Sequence, residues 1–347
     1  GYGCSSSIRC PRYSNAGNAT EGLASYSQIQ NLIDDGEDMM LDLQLINFPG
    51  APNLPIFVGL EKGFFESAGV APVLNTTPSS TYQIENLVSG KYHIAGTAID
   101  NVVAYTESQG EILLKDEPDI FAFLGATQLE LSFVVSPDIK DFHDLRGKTI
   151  ALDALTTGFA FILYRMLDNA GVRREDVTLV PVGATPERWR SVQDGVHTGT
   201  LTIEPFTSSA KAAGYNILET SAQTVDSYQG GCFAAQRCWA VDNRDALLGF
   251  IGGYLDGLEW TLDPANREEG SQILLQNMPK INPKTITMVM DKLLSPKTGL
   301  TPKGQIDKKG FETVLELRSY YSGHILGDIS KYLDLEPYWS IVRDQYS

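Results

Sequence analysis

Residues 47–70 read NFPGAPNLPIFVGLEKGFFESAGV, in which a loop rich in proline and glycine runs directly into an amphipathic segment. The residues before the loop, LDLQLINF (41–48), alternate apolar and polar side chains and predict a strand. Apolar residues recur at helical spacing over 56–65 and predict an amphipathic helix that ends at Lys62-Gly63, and a new apolar run follows Gly69. The order strand, stiff loop, helix, strand is typical of the opening unit of an α/β fold.

The same alternation of strands and helices continues to about residue 220. Similar orders of elements occur in residues 41–110 and 145–220, which indicates two like lobes with mainly parallel sheets. Residues 244–347 are predicted to be mostly helical. The fold class predicted from this pattern is α/β, with two Rossmann-like lobes.

Length and charge exclude several classes of protein. A chain of 347 residues is longer than one usual domain, in keeping with two lobes. The formal net charge of −16 and the lack of a basic stripe argue against nucleic acid as a partner, and we attribute the acidity to solubility. The sequence contains no run of 18 apolar residues that would span a membrane. Residues 1–40 begin with a polar stretch without helical or strand period and are expected to form a poorly structured tail.

The four cysteines fall into two pairs with the same spacing, Cys4/Cys10 and Cys232/Cys238. The sequence alone does not choose among the pairings of four cysteines, so local disulfides and buried free thiols remain alternatives. The spacing is too long for a metal knuckle, and no metal site or cofactor is expected. Lipid attachment at Cys4 is a further possibility, although Gly-Tyr-Gly is a poor match for the residues that precede a lipidated cysteine.

In open α/β sheets, ligands bind beyond the carboxyl ends of the strands, so the residues that follow each predicted strand are the candidate binding residues. Few of them are charged, which favours a monoanion or a neutral heterocycle over a doubly charged oxyanion. The candidates from these positions, together with a returning segment at 230–233, are Phe48, Pro52, Asn53, Thr97, Gln128, Thr156, Thr157, Phe159, Glu204 and Gly231. We expect Phe48, Pro52 and Asn53 to form one wall of the site, with Gln128 beside them.

Three of these residues, at two sites in the sequence, have an alternative explanation. Thr156 and Thr157 precede a predicted helix, where hydroxyls and free N–H groups can bind an anion, but one threonine there can also be a simple N-cap. Glu204 follows the predicted strand TGTLTI and can accept from an amine or ring nitrogen of a ligand. The same carboxylate can instead cap the next helix.

Signs of catalysis are weak. The sequence contains none of the common nucleophile-elbow, phosphate-loop, zinc-protease or dinucleotide-binding motifs. The histidines, including His93 within a strand pattern, are expected to be structural or on the surface. The chain is therefore expected not to be an enzyme.

Four segments carry a resemblance to a known family: PIFVGLEKGFF (55–65), NLVSGKYHIAGTA (86–98), DLRGKTIALD (144–153) and GTLTIEPF (199–206). In order and spacing they resemble the periplasmic substrate-binding proteins of ABC importers, in the branch that takes sulfonates, nitrate, taurine and thiamine-pyrimidine precursors. The resemblance covers roughly residues 41–340.

This resemblance implies a type II periplasmic binding protein fold with two crossover strands and a ligand cleft between the lobes. It places the first lobe at 41–128 plus 225–347 and the second at 129–224. It implies a periplasmic or extracellular protein, with a lipid anchor as one option, that captures a small molecule by closing its lobes. A membrane permease of an ABC transporter would be its partner, and a monomer is expected.

Two other functions share the resemblance. One is a ligand-sensing domain that does not transport. The other is the fungal thiamine-pyrimidine synthase, an enzyme similar to this chain in the early motif and at Glu204. That enzyme has a histidine where this sequence has Asn53, and a cysteine cluster where this sequence reads GGCFAAQRC (230–238). Asparagine cannot supply the imidazole, which disfavours the enzyme.

Overall fold

The computed structural model describes residues 40–128, 130–324 and 326–344. The predicted tail, apart from residue 40, lies outside them, as do Cys4 and Cys10. Ten strands are described: β1 (Leu41–Asn47), β2 (Val70–Thr76), β3 (Ile94–Ala98), β4 (Ile120–Thr127), β5 (Ser132–Val135), β6 (Thr149–Leu152), β7 (Thr178–Pro181), β8 (Gly199–Thr202), β9 (Asn216–Thr220) and β10 (Gly231–Gln236).

The α-helices in the described residues mostly lie between strands up to β10, although no α-helix separates β4, β5 and β6, and after β10 the helices follow one another. They are α1 (Leu54–Glu61), α2 (Phe64–Ser67), α3 (Ser80–Val88), α4 (Ile99–Thr106), α5 (Gly158–Asn169), α6 (Thr185–Gln193), α7 (Phe206–Ala212), α8 (Ser221–Thr224), α9 (Arg237–Asp242), α10 (Arg244–Leu262), α11 (Arg267–Asn277), α12 (Ile286–Leu293), α13 (Lys308–Ser322) and α14 (Glu336–Asp344). The predicted α/β class is confirmed.

Two five-stranded sheets form the centre of the molecule, in the orders β2-β1-β3-β10-β4 and β7-β6-β8-β5-β9. In each sheet one strand, β10 or β5, runs antiparallel to both of its neighbours, and the other strands are parallel to one another. Sheet membership changes between β4 and β5 and again between β9 and β10. The chain therefore crosses twice between two lobes of the same strand order.

The opening loop folds as a turn and a short 3₁₀ helix, Ala51–Asn53, that leads directly into α1. The predicted end of the first helix at Lys62-Gly63 is confirmed, since α1 ends at Glu61, and the last apolar residues of 56–65 belong to a second helix, α2, which begins at Phe64. Gly63 between them has φ of 74°, a left-handed conformation that glycine adopts without steric cost.

Apolar side chains pack on both faces of each sheet. One cluster is continuous across the two lobes and includes Ile46 and Phe133, one from each sheet. A second cluster lies between the first sheet and the long helix α10, where Phe250 and Tyr254 are fully buried. A smaller third cluster in the second lobe contains Trp189. The strand ends of both sheets are thus fixed by packing, which positions the loops that follow them.

Candidate ligand-binding cleft

A cavity of about 100 Å³ lies where the strand-end loops of the two lobes meet. Its walls are mostly apolar, with a few buried amides, hydroxyls and charged groups. The lining residues are Asn47, Phe48, Pro52, Asn53, Gly96, Thr97, Ala98, Asn101, Ala126, Thr127, Asp153, Thr157, Phe159, Thr185, Arg188, Ile203, Gly231, Cys232 and Phe233. Concave, mainly apolar sites with a few convergent polar groups are typical of small-molecule binding.

Asn53 holds the loop that forms the first-lobe wall. Its Oδ1 accepts from Asn47 Nδ2 at 3.0 Å, and its Nδ2 donates to the carbonyl of Phe48 at 2.9 Å. Asn47 Oδ1 in turn accepts from the backbone N–H of Gly96 at 2.8 Å, which ties the loop to β3. The wall is therefore fixed by side-chain hydrogen bonds as well as by its prolines, and a ligand need not order it.

Arg188, on the first turns of α6, brings one positive charge to the second-lobe wall. Its guanidinium donates to the carbonyls of Gly183 (2.8 Å) and Leu201 and to the hydroxyls of Thr200 (2.7 Å) and Thr185 (3.0 Å). These bonds use four of the five guanidinium N–H groups. Burial lowers the pKa of Arg188 to about 10, so the group stays charged at neutral pH.

Amide and carboxylate groups complete the polar lining. Asn101 Nδ2 donates to Thr97 Oγ1 at 3.0 Å, and both side chains are buried. Asp153, the residue after β6, lines the same cavity as Arg188. The cavity thus offers one cationic group, one carboxylate and several amides against aromatic walls, which suits a small molecule that carries both polar and apolar atoms.

Contacts between the lobes close the cavity on more than one side. The backbone N–H of Ala51 donates to the carbonyl of Glu204 at 2.9 Å. On another side, the N–H of Ala184 donates to the carbonyl of Pro78 at 2.9 Å, and the N–H of Ser80 donates to Asp153 Oδ1 at 3.1 Å. These bonds join loops and a helix start of the first lobe to loops of the second, so they exist only while the lobes are together.

Gly183→Ala is expected to open the cleft. Gly183 has φ of 112°, and a Cβ atom there would lie 2.6 Å from the carbonyl oxygen of Pro78 in the other lobe. Small-angle X-ray scattering should give a larger radius of gyration for this variant than for the wild type. Gly147→Ala is the matched control, since Gly147 also has positive φ, at 75°, but has nothing within 4 Å of its added Cβ. Equal radii for the two variants would contradict the interlobe role of Gly183.

Most of the predicted site residues come together in the cavity. Those that line it are Phe48, Pro52, Asn53, Thr97, Thr157, Phe159 and Gly231. Thr157 is also the N-cap of α5, where its Oγ1 accepts from Ala160 N at 3.2 Å. Contact of these residues with a ligand stays a prediction.

The other predicted site residues lie beside the cavity and not in its lining. Gln128 Nε2 donates to the carbonyl of Pro296 at 2.8 Å, away from the ligand space. The hydroxyl of Thr156 donates to Glu111 at 2.7 Å. Glu204 lines a smaller neighbouring pocket of about 30 Å³, which shares Pro52 with the main cavity.

Glu204 is engaged by the helix that follows it. Its carboxylate accepts from the N–H (3.3 Å) and the hydroxyl (2.9 Å) of Ser208, in the first turn of α7. Glu204 thus bonds to the start of the next helix, which is one of the two roles that its sequence position allows. Contact of Glu204 with a ligand stays a prediction. Burial raises the pKa of Glu204 from its usual value near 4.5 to about 7, against the opposing effect of the Ser208 bonds.

Cys232 is a free thiol, so a local Cys232–Cys238 disulfide is not formed. β10 carries Cys232 into the centre of the first sheet, where its side chain is fully buried between β3 and β4. Burial raises the pKa of this thiol well above its usual value. A buried thiol that stays protonated is a poor nucleophile.

His93, directly before β3, has a structural role, one of the two roles expected for it. Its Nδ1 accepts from the backbone N–H of Gln44 at 2.9 Å, and its ring stacks on Trp239. Within the described ranges, no group of histidine, cysteine and acidic residues could hold a metal ion. The described helices also include none that is long and apolar enough to cross a membrane.

The strand-end pattern does not identify Arg188 and Asn101 as site residues, because both lie within helices and not in the loops that follow strands. A signal for Arg188 did exist. Thr185, Arg188, Trp189 and Val192 share one face of α6 at helical spacing, and all are buried. An arginine on an apolar helix face must be paired internally, and such residues often belong to a site.

The two lobes of like strand order, with a cavity between their strand-end loops, define the class of protein as one with the periplasmic binding protein fold. The nitrate-binding protein NrtA from Synechocystis PCC 6803 matches with a TM-score of 0.72 and 13% identity, over 88% of this chain and 89% of that chain. The alkanesulfonate-binding protein SsuA from Xanthomonas axonopodis pv. citri, bound to MOPS, matches with a TM-score of 0.65 and 14% identity, over 84% of this chain and 96% of that chain. The desulfurization enzyme DSZB matches with a TM-score of 0.58 and 12% identity, over 87% of this chain and 99% of that chain.

These likenesses show the fold. The family follows from the sequence, since residues 52–267, more than half of the chain, match the family model described as NMT1/THI5 like. The chain belongs to the NMT1/THI5-like family. No curated protein matches it significantly over its sequence.

Proposed function

We propose that this protein is a solute-binding protein that captures a small organic molecule between its lobes and delivers it to the permease of an ABC transporter. The observation that carries the proposal is the buried interlobe cavity, in which Arg188, Asp153 and several amides face aromatic walls. The ligand would be a sulfonate, a carboxylate or a pyrimidine-like heterocycle. Such a function places the protein in the periplasm or outside the cell.

Lobe closure would be the mechanism of capture. A ligand that contacts both walls stabilises the closed state over the open one by its differential affinity. The first-lobe wall, with Asn53, Thr97 and Asn101, is held by hydrogen bonds within its lobe. The second-lobe wall, with Arg188 and Thr157, would then meet a ligand already seated on the first.

A thermal-shift screen of sulfonates, carboxylates and pyrimidines tests the proposal. At about 100 times the dissociation constant, linkage adds about 2.7 kcal/mol to the free energy of unfolding, a shift of several degrees in Tm. We expect one chemical class to give this shift and to be recovered unchanged. A compound that is converted by the protein would contradict solute binding.

The specific observation that bears on the enzyme alternative is the chemistry of the lining. Asn53 stands where the similar synthase has histidine, and it is committed to two structural hydrogen bonds. The titratable side chains among the lining residues described above are Asp153, Arg188 and Cys232, and burial keeps the last of these protonated. These features favour ligand binding over catalytic turnover. A ligand-sensing protein would use the same cavity, so they do not distinguish sensing from transport.

A further inference from the structure

Thr156 is held from the other lobe by two oppositely charged residues. It lies between β6 and α5 in the second lobe. Its backbone N–H and its hydroxyl, the latter at 2.7 Å, both donate to Glu111 Oε1, which follows α4 in the first lobe. Its carbonyl accepts from Arg318 Nη2, on α13, at 2.7 Å. Residues of the first lobe thus accept from both donors of Thr156 and donate to its carbonyl.

Arg318 is anchored so that it cannot follow Thr156. Its side chain and that of Asp100 are each 1% exposed, and their bonds measure 2.7 Å (Nε to Oδ1) and 2.8 Å (Nη2 to Oδ2). Arg318 Nη1 also donates to Gln109 Oε1 at 3.1 Å. Buried ion pairs add little net stability but fix geometry, so this pair holds one guanidinium N–H at a set position.

The start of α5 packs against the same first-lobe residues. A Cβ atom on Gly158 would lie 2.6 Å from Asp100 Cβ and 3.0 Å from Tyr228 Oη, so only glycine allows this approach. The guanidinium carbon of Arg318 also lies 4.8 Å from the centre of the Phe161 ring on α5. The hydrogen bonds of Thr156 with Glu111 and Arg318, here called the Thr156 grip, therefore lie beside a close packing contact between the two lobes.

Thr156 is adjacent in sequence to residues that line the ligand cavity. Thr157 and Phe159 line the cavity, whereas Thr156, Glu111 and Arg318 do not. Movement of Thr156 away from Glu111 would carry Thr157 and Phe159 away from the first-lobe wall.

We propose that Glu111 and Arg318 are positioning residues, which grip Thr156 to hold the second lobe shut and to set Thr157 and Phe159 against the ligand. This inference rests on the proposed function only for the presence of the ligand; the grip itself acts in the free protein. Apparent affinity scales with the fraction of molecules in the binding-competent state. Loss of the two bonds to Glu111 should shift the ratio of closed to open protein by on the order of tenfold.

Glu111→Ala tests the grip without ligand. Glu111 is solvent-exposed, so the variant should fold, whereas removal of buried Arg318 could unfold the chain. Glu117→Ala, an exposed carboxylate of the same segment, is the matched control. We expect Glu111→Ala to raise the radius of gyration in small-angle X-ray scattering and to speed amide exchange in residues 154–160. Glu117→Ala should match the wild type in both.

Identical scattering and exchange for Glu111→Ala and Glu117→Ala would overturn the inference, whatever the protein binds. Faster exchange in residues 154–160 without global destabilisation in urea would separate positioning from a merely structural role. If no sulfonate, carboxylate or pyrimidine raised the Tm of the wild type while Glu111→Ala still opened the lobes, the proposed function would fall and the grip would stand.

Discussion

Arg188→Met is expected to lower the free energy of unfolding by about 3 kcal/mol, because buried acceptors lose their donor and each such loss costs roughly 1–3 kcal/mol. The carbonyls of Gly183 and Leu201 and the hydroxyl of Thr200 all accept from this guanidinium. Methionine fills much of the volume but donates nothing. The variant should also lose affinity for anionic ligands more than for neutral ones.

Urea denaturation is the measurement for this prediction. Arg190→Met is the control, since Arg190 is on the same helix but exposed. Substitutions at such surface positions usually change stability by less than about 0.5 kcal/mol. If the two methionine variants unfolded at the same urea concentration, Arg188 would not organise the second-lobe wall.

Glu204→Gln is expected to stabilise the protein by about 3 kcal/mol above pH 7 and to change little at pH 4. Burial raises the pKa of Glu204 to about 7, so the folded protein binds this proton more tightly than the unfolded chain does. Stability is therefore lost as the pH rises from about 4.5 through 7. Glutamine cannot ionise and keeps an acceptor oxygen for Ser208.

Thermal unfolding across pH 4–9 checks this expectation. Glu187→Gln, on the exposed side of α6, controls for the loss of one negative charge from an acidic protein. The difference in Tm between the two variants should grow with pH and level off above pH 8. A constant difference across the range would mean that Glu204 carries no pH-dependent cost in the folded state.

The loops of the candidate site could be predicted because they follow strands. Phe48, Asn53, Thr97 and Thr157 each lie within a few residues of a strand end, and parallel strands bring such residues to one edge of a sheet. The resemblance in four short segments also led to the correct fold class and family. The strand-end loops and the fold class could thus be predicted from short stretches of sequence.

The interlobe contacts could not be predicted in this way. Thr156 is 45 positions from Glu111 and 162 positions from Arg318, with no local pattern that links them. They depend on how the two lobes are oriented, which is set by packing across the crossovers. Strand-end positions do not reveal Arg188 for a different reason, since this residue reaches the cavity from a helix face and not from a loop.

The central claim is that the interlobe cavity captures an unmodified small molecule. Native mass spectrometry, after incubation with sulfonates, carboxylates and pyrimidines, tests it most directly when the wild type is compared with Ala126→Leu. Ala126 lines the cavity, so leucine there would fill ligand space. We expect one intact molecule bound to the wild type at one-to-one stoichiometry and none to the variant. Equal binding by both proteins, or release of a chemically altered compound, would contradict it.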